Sequence, residues 1–182
     1  AWQYQRSSQV AKPAKSVRGN PATDVTRLFQ EKLKGSALEK LATKLAFTTR
    51  AEPPAGNFPK LPGFVIPYWT VDGKQEKNFW RYRYLVDTRT PVDKITGQKP
   101  LRYVQPPGSP LRLYMPPLVD WKHLPEDAPL FITEGELKAA CACSMGLPTV
   151  GGGGVFSIAN GLDMLLPEFE QIGIAGRTIY IV

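Results

Sequence analysis

Three charged residues stand close together in the segment "LFITEGELKAA", residues 130–140. Its apolar start predicts a β-strand, and the run from the second glutamate onwards predicts a helix. Glu134 and Glu136 therefore lie at a strand-to-helix junction, with Lys138 further along the helix. A carboxylate at a strand end, beside a glycine and the free amides of a helix start, is placed where a metal ion or a reacting phosphate would bind. Glu134 is thus a candidate catalytic and metal-binding residue.

Each of these charged residues also has a structural explanation. Thr133 and Glu136 have the spacing of a capping box, in which both side chains bind amides at the helix start. An acidic residue such as Glu134 in a first helical turn stabilises the helix by roughly 0.3–1 kcal/mol without any function. Lys138 lies four residues after Glu134, the spacing of an ion pair, and phosphate binding is its alternative role. Glu136 is expected to be a helix cap, and both explanations stay open for the other two residues.

Four consecutive glycines in "TVGGGGVF" form the second candidate feature. They lack the Gly-Lys-Ser/Thr ending of a nucleotide-binding P-loop and the spacing of a dinucleotide site. Glycines at a strand end still permit close approach of a phosphate, or they form a tight turn. Gly151 and Gly152 are therefore candidate contacts for nucleic acid or nucleotide, with a turn as the alternative.

The third group of candidates is basic. In "NFWRYRYLVD" strand alternation places Arg81 and Arg83 on one face and the intervening aromatic residues on the other, where they are expected to form a core. Arg102 and Arg112 lie beside tyrosines in a second β-like region. The net charge of +7 favours a polyanionic partner, nucleic acid first. Solubility alone, with solvated charges at strand edges, is the alternative.

The elements that would position these residues divide the chain into three parts. Residues 1–22 have no apolar periodicity and predict a flexible basic tail. Residues 23–120 predict a basic α+β subdomain with a hairpin that turns at Asp72 and Gly73. Residues 121–182 alternate strand and helix, which predicts an α/β unit with a parallel sheet. Such sheets bind ligands at the carboxyl ends of their strands, the edge at which Glu134 would lie.

The apolar spacing also predicts the positions of individual helices and strands. The leucine spacing after residue 23 predicts two short helices, the second starting with a capping box formed by Ser36 and Glu39. In the α/β unit, residues 157–170 predict a helix between two strands, at residues 148–150 and 178–182.

Composition argues against several classes of function. The chain contains two cysteines, Cys141 and Cys143, and one histidine, His123, too few for a zinc site of this chain alone. A single histidine also argues against the Ser-His and Cys-His arrangements in which histidine is the base. The thiols are expected to be reduced and packed on a helix. No apolar run approaches the roughly 20 residues of a membrane span, so a cytoplasmic location away from membranes is expected.

The segments "FITEGELKAA", "GLPTVGGGGV" and "GRTIYIV" together resemble a Toprim-type domain, and in particular the Toprim-like domain family of phage, plasmid and mobile-element replication proteins. The similarity extends upstream through "GFVIPYW" and "WRYRYLVD" to about residue 23. It implies an α+β N-terminal subdomain followed by an incomplete Toprim-like α/β unit with a parallel sheet. It also implies that Glu134 is the catalytic acid/base and a ligand of Mg²⁺ (or Mn²⁺).

The resemblance implies further partners and two departures from the family pattern. The family's Asp-x-Asp motif would follow "TIYIV", so this piece alone is expected to have little activity. Lys138 stands where several primases carry an acidic residue. The basic subdomain would hold the DNA template and a nucleoside triphosphate, with Arg81, Arg83, Arg102 and Arg112 as the contact residues.

The function expected from the resemblance is that of the N-terminal fragment of a primase-like replication protein. It would carry out magnesium-dependent nucleotidyl transfer on single-stranded DNA, using nucleoside triphosphates, with a helicase or polymerase domain possible downstream. A Toprim-type nuclease and a non-catalytic DNA-binding module are the two alternatives.

Overall fold

The computed structural model describes residues 21–154, 159 and 164–182. The helices are α1 (Pro21–Leu33), α2 (Pro91–Ile95), α3 (Glu136–Ser144) and α4 (Pro167–Ile172), with a 3-10 turn at Ala37–Lys40. The strands are β1 (Thr48–Arg50), β2 (Gly63–Trp69), β3 (Gln75–Tyr84), β4 (Tyr103–Val104), β5 (Leu130–Glu134), β6 (Thr149–Gly152) and β7 (Ile179–Ile181). Most of the predicted tail lies outside the described residues, and its last two residues already belong to α1.

The first half of the fold is an antiparallel sheet with the strand order β1-β2-β3-β4. Strands β2 and β3 form the predicted hairpin, in which the Thr70 amide donates to the Lys74 carbonyl at 2.8 Å. The Gly73 amide donates to the Thr70 carbonyl at 2.9 Å, and Gly73 has a φ of +70° that a glycine adopts without strain. The hairpin prediction at Asp72 and Gly73 is confirmed.

The two faces of β3 have different neighbours. Tyr82 and Tyr84 are buried and pack with Val104 of β4, so the aromatic face is the predicted core. Phe79, on the face of Arg81 and Arg83, is also buried and belongs to a second hydrophobic cluster. The arginine face is therefore covered in the middle of the strand, at Phe79, while Arg81 and Arg83 beyond it are partly exposed.

The second half of the fold is a three-stranded parallel sheet with the order β6-β5-β7. Both neighbours run parallel to β5, with Glu134 opposite Gly152 and Ile132 opposite Ile181. This confirms the predicted parallel sheet after an α+β first half. The two outer strands match the predicted positions to within two residues at each end.

The predicted helix at residues 157–170 is confirmed only at its end, where residues 167–170 belong to α4, and is wrong at the other described residues, 159 and 164–166. Residues 155–158 and 160–163 lie outside the described residues, and residues 164–166 are not helical. Leu166 is extended (φ −62°, ψ 142°), and α4 begins only at Pro167. A proline disfavours helical geometry in the residue before it and is itself well suited to the first helical position.

The predicted second helix and its capping box are also corrected. Residues 37–40 form one 3-10 turn, followed by hydrogen-bonded turns up to residue 46. The Ser36 hydroxyl donates backwards to the Leu33 carbonyl at 2.6 Å. Glu39 accepts from the Gly35 amide at 2.9 Å instead of the Ser36 amide. Both side chains therefore close the end of α1 and do not form a reciprocal cap.

The two sheets are joined through backbone and core contacts. Tyr114 and Gly151 exchange two backbone hydrogen bonds of 2.8 and 2.9 Å, which attach the segment after β4 to the free edge of β6. One hydrophobic cluster contains Phe64 and Tyr68 of the first sheet together with Ala139 and Ala140 of α3. This cluster spans the division expected at residue 120 and places the start of α3 against the arginine face of β3.

Candidate nucleic-acid interface

A cleft of about 360 Å³ lies between β3, β4 and the start of α3. Its charged lining residues are Arg81, Arg83, Arg102, Glu134, Glu136 and Lys138. Four of the candidate cations and the candidate carboxylate, which come from both halves of the chain, therefore meet at one place. We call this space the basic cleft.

Glu134 is the last residue of β5, and its side chain is exposed. It lines the basic cleft and also a neighbouring depression of about 320 Å³ that includes Ile181 and Val182. Among the described residues its carboxylate forms no ion pair, and the expected pair with Lys138 is absent. Lys138 is likewise exposed at the rim of both spaces.

The capping box expected from Thr133 and Glu136 is not formed. Gly135 is the N-cap of α3, with φ +90° and ψ 145°, and Glu136 is the first helical residue instead of the third. The Gly135 amide donates to the Gly152 carbonyl at 2.7 Å, and Thr133 remains a buried strand residue. Because glycine tolerates a positive φ, the chain changes direction one residue after Glu134 and turns Glu136 inwards.

Glu136 is 1% exposed and is the charged centre of a buried network. Its Oε1 accepts a hydrogen bond of 2.8 Å from the Tyr68 hydroxyl and lies 3.3 Å from Nη1 of Arg81. Burial, and secondly the nearby Glu136 charge, raise the pKa of Tyr68 well above its ordinary value. Glu136 is therefore used for internal pairing and does not offer a carboxylate to the cleft.

Arg81 connects this network to the loop after β6. Its side chain is 12% exposed, and Nη1 donates to the Gly153 carbonyl at 3.1 Å while it pairs with Glu136. The positive charge of Arg81 is thereby largely compensated within the protein. Of the two arginines on β3, Arg83 is the one available to an external anion.

Tyr103 of β4 organises both arginines, and the sequence interpretation did not single it out. The guanidinium carbons of Arg81 and Arg83 each lie 5.0 Å from the centre of its ring, within range of a cation–π interaction. Arg83 also donates from Nη1 to the Tyr103 hydroxyl. These contacts hold two like charges side by side at the cleft wall.

The cleft has an excess of positive charge. Among the described residues, Arg83, Arg102 and Lys138 form no ion pair with an acidic side chain. The same positive charge acts on Lys32 at the end of α1. The pKa of its amine is lowered, first by repulsion from Arg83, then by burial, and then by repulsion from Arg102. The sequence offered no signal for Lys32, since nothing in α1 indicates its proximity to strands that lie far downstream.

The predicted glycine contacts are divided between packing and cleft lining. Gly151 and Gly152 are buried in β6. A Cβ on Gly151 would lie 3.0 Å from the Gly135 carbonyl oxygen and 3.2 Å from the Ala139 Cβ, so the close approach of α3 favours glycine there. Of the four consecutive glycines, Gly153 lines the basic cleft, and Gly154 lines the adjacent depression.

Arg112 is the candidate that the fold places elsewhere. Its Nη1 lies 3.4 Å from Oε1 of Glu168, beside a separate depression of about 100 Å³ that Trp69 also lines. It therefore does not contribute to the basic cleft.

The described residues do not form a magnesium site. No group of three or more His, Cys, Asp or Glu side chains is placed to hold a metal ion within residues 21–154, 159 and 164–182. Glu134 is the one carboxylate free to face the cleft, because Glu136 is paired with Arg81 and Tyr68. One carboxylate falls short of the oxygen ligand set that Mg²⁺ takes in proteins.

Within the described residues no helix has the length and apolar character needed to cross a membrane.

Comparison with known proteins gives one match. No curated protein and no solved structure matches the chain. Residues 120–182, which include the parallel sheet and the Glu134 wall of the cleft, are similar to a family described as "Domain of unknown function (DUF3854)".

Proposed function

We propose that this chain is part of a primase-like DNA replication protein of a phage, plasmid or other mobile element, and that its basic cleft binds phosphates of single-stranded DNA and of nucleoside triphosphates. The observation that carries the proposal is the position of Glu134. An exposed carboxylate at the end of a parallel strand lines the same cleft as Arg83, Arg102 and Lys138, none of which has an acidic partner among the described residues. The resemblance to Toprim-like replication proteins supports the same conclusion.

The charge arrangement suits a polyanionic strand. Cations on both walls of an open cleft neutralise successive phosphates, and binding then gains from the release of counterions. Such phosphate contacts position a nucleic acid without reading its sequence. Arg83 and Arg102 supply one wall, Lys138 supplies the other, and the Tyr103 ring keeps the Arg83 guanidinium in place.

Glu134 is proposed as the acid/base residue. A carboxylate next to a bound phosphate can accept the proton of an attacking hydroxyl group. No metal-dependent step is assigned to the described residues, because they supply a single free carboxylate. In a longer form of the protein that continues β7 in its present register, the residue after Val182 would lie beside Glu134.

A non-catalytic DNA-binding module is the second candidate. The observation that favours it is that Glu134 has no second free carboxylate near it among the described residues. In that case the basic cleft would hold DNA for another domain, and Glu134 would limit how closely the strand approaches the sheet edge.

DNA binding is tested with fluorescence anisotropy of a labelled single-stranded oligonucleotide. The Arg83→Ala/Arg102→Ala double variant is expected to bind at least about tenfold more weakly, and its salt slope should fall by about 0.7 for each phosphate that the variant no longer neutralises. Lys122→Ala is the matched control, because Lys122 is an exposed cation paired with Asp72 away from the cleft. Equal affinity of the double variant and the control, or no binding by the wild type, would overturn the proposal.

Chemistry is tested on a form extended beyond residue 182, with Mg²⁺, nucleoside triphosphates and a single-stranded template. Synthesis that is abolished in Glu134→Gln, with DNA affinity retained, supports the primase-like function. Strand cleavage in place of synthesis would assign the site to a nuclease. DNA binding with neither reaction would leave the binding module.

A further inference from the structure

The face of the first sheet that carries Arg83 also holds the end of α1. Phe64 lies directly opposite Arg83 in the β2–β3 pair, so the two side chains project from the same face of the sheet. The Phe64 ring packs against the ring of Phe29 in α1, with centroids 4.9 Å apart. Leu33, the last residue of α1, belongs to the same hydrophobic cluster as Phe64. The end of α1 is therefore anchored on the arginine face.

Helix α3 is anchored in the same hydrophobic cluster, through the buried residue Ala139. In each helix a lysine immediately precedes the buried residue: Lys32 comes before Leu33, and Lys138 comes before Ala139. Both lysine side chains are exposed. One cation from α1 and one from α3 therefore accompany the arginines of this sheet face.

Lys32 is close enough to the cleft arginines to be repelled by them. Repulsion from Arg83 is the largest cause of the lowered pKa of its amine, and Arg102 contributes after burial. Among the described residues Lys32 forms no ion pair with an acidic side chain. A lysine at the end of a helix is favourable in itself, but that explanation applies equally to Lys34 and does not account for a cation beside two like charges. An anion that lies among the three cations does account for it.

We propose that Lys32 binds a phosphate of the single-stranded DNA, so that the strand leaves the basic cleft past Arg83 and Arg102 and continues to the end of α1. This inference rests on the proposed DNA-binding function and adds the path of the strand. A strand carries one phosphate per nucleotide along its length, so cations on α3, on the first sheet and on α1 can each neutralise a different phosphate. The phosphates of a nucleoside triphosphate form one compact group, and a strand therefore explains a cation on a third element better.

The test compares two charge reversals at the end of α1. Affinity for a labelled single-stranded oligonucleotide is measured by fluorescence anisotropy for Lys32→Glu and for Lys34→Glu. Lys34 is also exposed, and residues two apart on a helix do not share a face, so the two variants have equal net charge but differ in the position of the change. Lys32→Glu should weaken binding about tenfold, because a phosphate contact becomes a repulsion, and Lys34→Glu should weaken it less than about twofold.

Two further measurements separate a phosphate contact from a structural role. Lys32→Ala should lower the salt slope of binding by about 0.7, the amount expected for one phosphate of a single strand, and Lys34→Ala should leave the slope unchanged. The free energy of unfolding of Lys32→Ala, measured with urea, should be equal to that of the wild type or higher, because repulsion from Arg83 and Arg102 is removed. A lysine that only stabilised the end of α1 would show the reverse: lower stability and an unchanged salt slope.

The outcomes distinguish the strand path from the proposed function. Normal DNA binding by Lys32→Glu, together with weak binding by Arg83→Ala/Arg102→Ala, would overturn the path to α1 and leave the proposed function standing. An equal loss of affinity in Lys32→Glu and Lys34→Glu would mean that net charge alone matters, and the inference would fail. No binding of the oligonucleotide by the wild type would overturn both.

Discussion

At the scale of single residues, two glutamates separated by one glycine have opposite roles. Glu134 is exposed at the cleft, as the strand-to-helix pattern predicted, whereas Glu136 is buried against Tyr68 and Arg81. The Thr-x-x-Glu spacing predicted a helix cap at Glu136. That prediction was wrong because a local motif carries no information about partners that lie far upstream in the sequence. The turn at Gly135 decides between the two roles, and its φ of +90° is a backbone property that spacing does not encode.

The first prediction concerns the buried pair of Glu136 and Arg81. Glu136→Gln keeps the shape of the side chain and an oxygen that can accept from Tyr68, but it leaves the Arg81 charge without its partner. Breaking a buried ion pair in this way costs about 3 kcal/mol. We expect the free energy of unfolding, measured by urea denaturation, to fall by about that amount.

The matched control for this prediction is an exposed pair. Lys122→Gln breaks the 2.9 Å contact with Asp72, in which both side chains are about half exposed, and should cost less than about 1 kcal/mol. Adding Arg81→Met to Glu136→Gln should recover part of the missing stability, because the unpaired charge is then removed. Equal destabilisation of the buried and exposed variants would contradict the network.

At the scale of elements, the pattern of apolar runs was enough to predict the hairpin and the parallel order of the second sheet. It could not predict where helices begin and end. Residues 164–166 share the apolar character of the predicted helix, yet the backbone stays extended up to Pro167. The contribution of β4 and Tyr103 to the cleft also escaped prediction, because a two-residue strand has no periodicity and its importance comes from pairing with β3.

The second prediction tests the junction of β6 with α3. Gly151→Ala would place a Cβ 3.0 Å from the Gly135 carbonyl oxygen, a backbone atom that cannot rotate away. Overpacking of this kind costs about 2 kcal/mol. Because Gly135 follows Glu134 directly, the variant should also weaken the proposed DNA binding at the cleft, measured by anisotropy under conditions where the protein remains folded.

Gly73→Ala provides the comparison. Gly73 has a φ of +70° with open space around it, at the hairpin turn away from the cleft. Its replacement should cost about 1 kcal/mol through backbone strain alone and leave DNA affinity unchanged. A Gly151→Ala protein with normal stability and normal DNA binding would show that α3 does not approach β6 this closely.

At the scale of the whole molecule, the junction of the two sheets buries several groups that ionise at alkaline pH. Burial raises the pKa of Tyr68 and Tyr114 and raises that of the Cys143 thiol, on α3, to about 11. In the unfolded chain these groups lose their protons at about pH 8.5 to 10. The unfolded state therefore binds fewer protons than the folded state in this range, and stability decreases as pH rises.

The third prediction follows from that sign. The free energy of unfolding should be constant with respect to these groups up to about pH 8 and fall steadily towards about pH 10.5. Urea denaturation across this range measures the slope. Tyrosinate absorbance should rise together with the loss of structure, since Tyr68 and Tyr114 ionise only when they are exposed.

Tyr114→Phe is the variant that isolates one of these groups. The Tyr114 hydroxyl is buried and has no hydrogen-bond partner among the described residues, whereas the Tyr68 hydroxyl donates to Glu136 at 2.8 Å. Removing the Tyr114 hydroxyl should therefore preserve or increase stability at neutral pH and make the alkaline decrease shallower, because one phenol no longer titrates on unfolding. Tyr68→Phe should also reduce the slope but should lower stability at neutral pH, since it leaves Glu136 with one partner fewer. An unchanged alkaline slope in both variants would show that the phenols at the sheet junction do not limit stability at high pH.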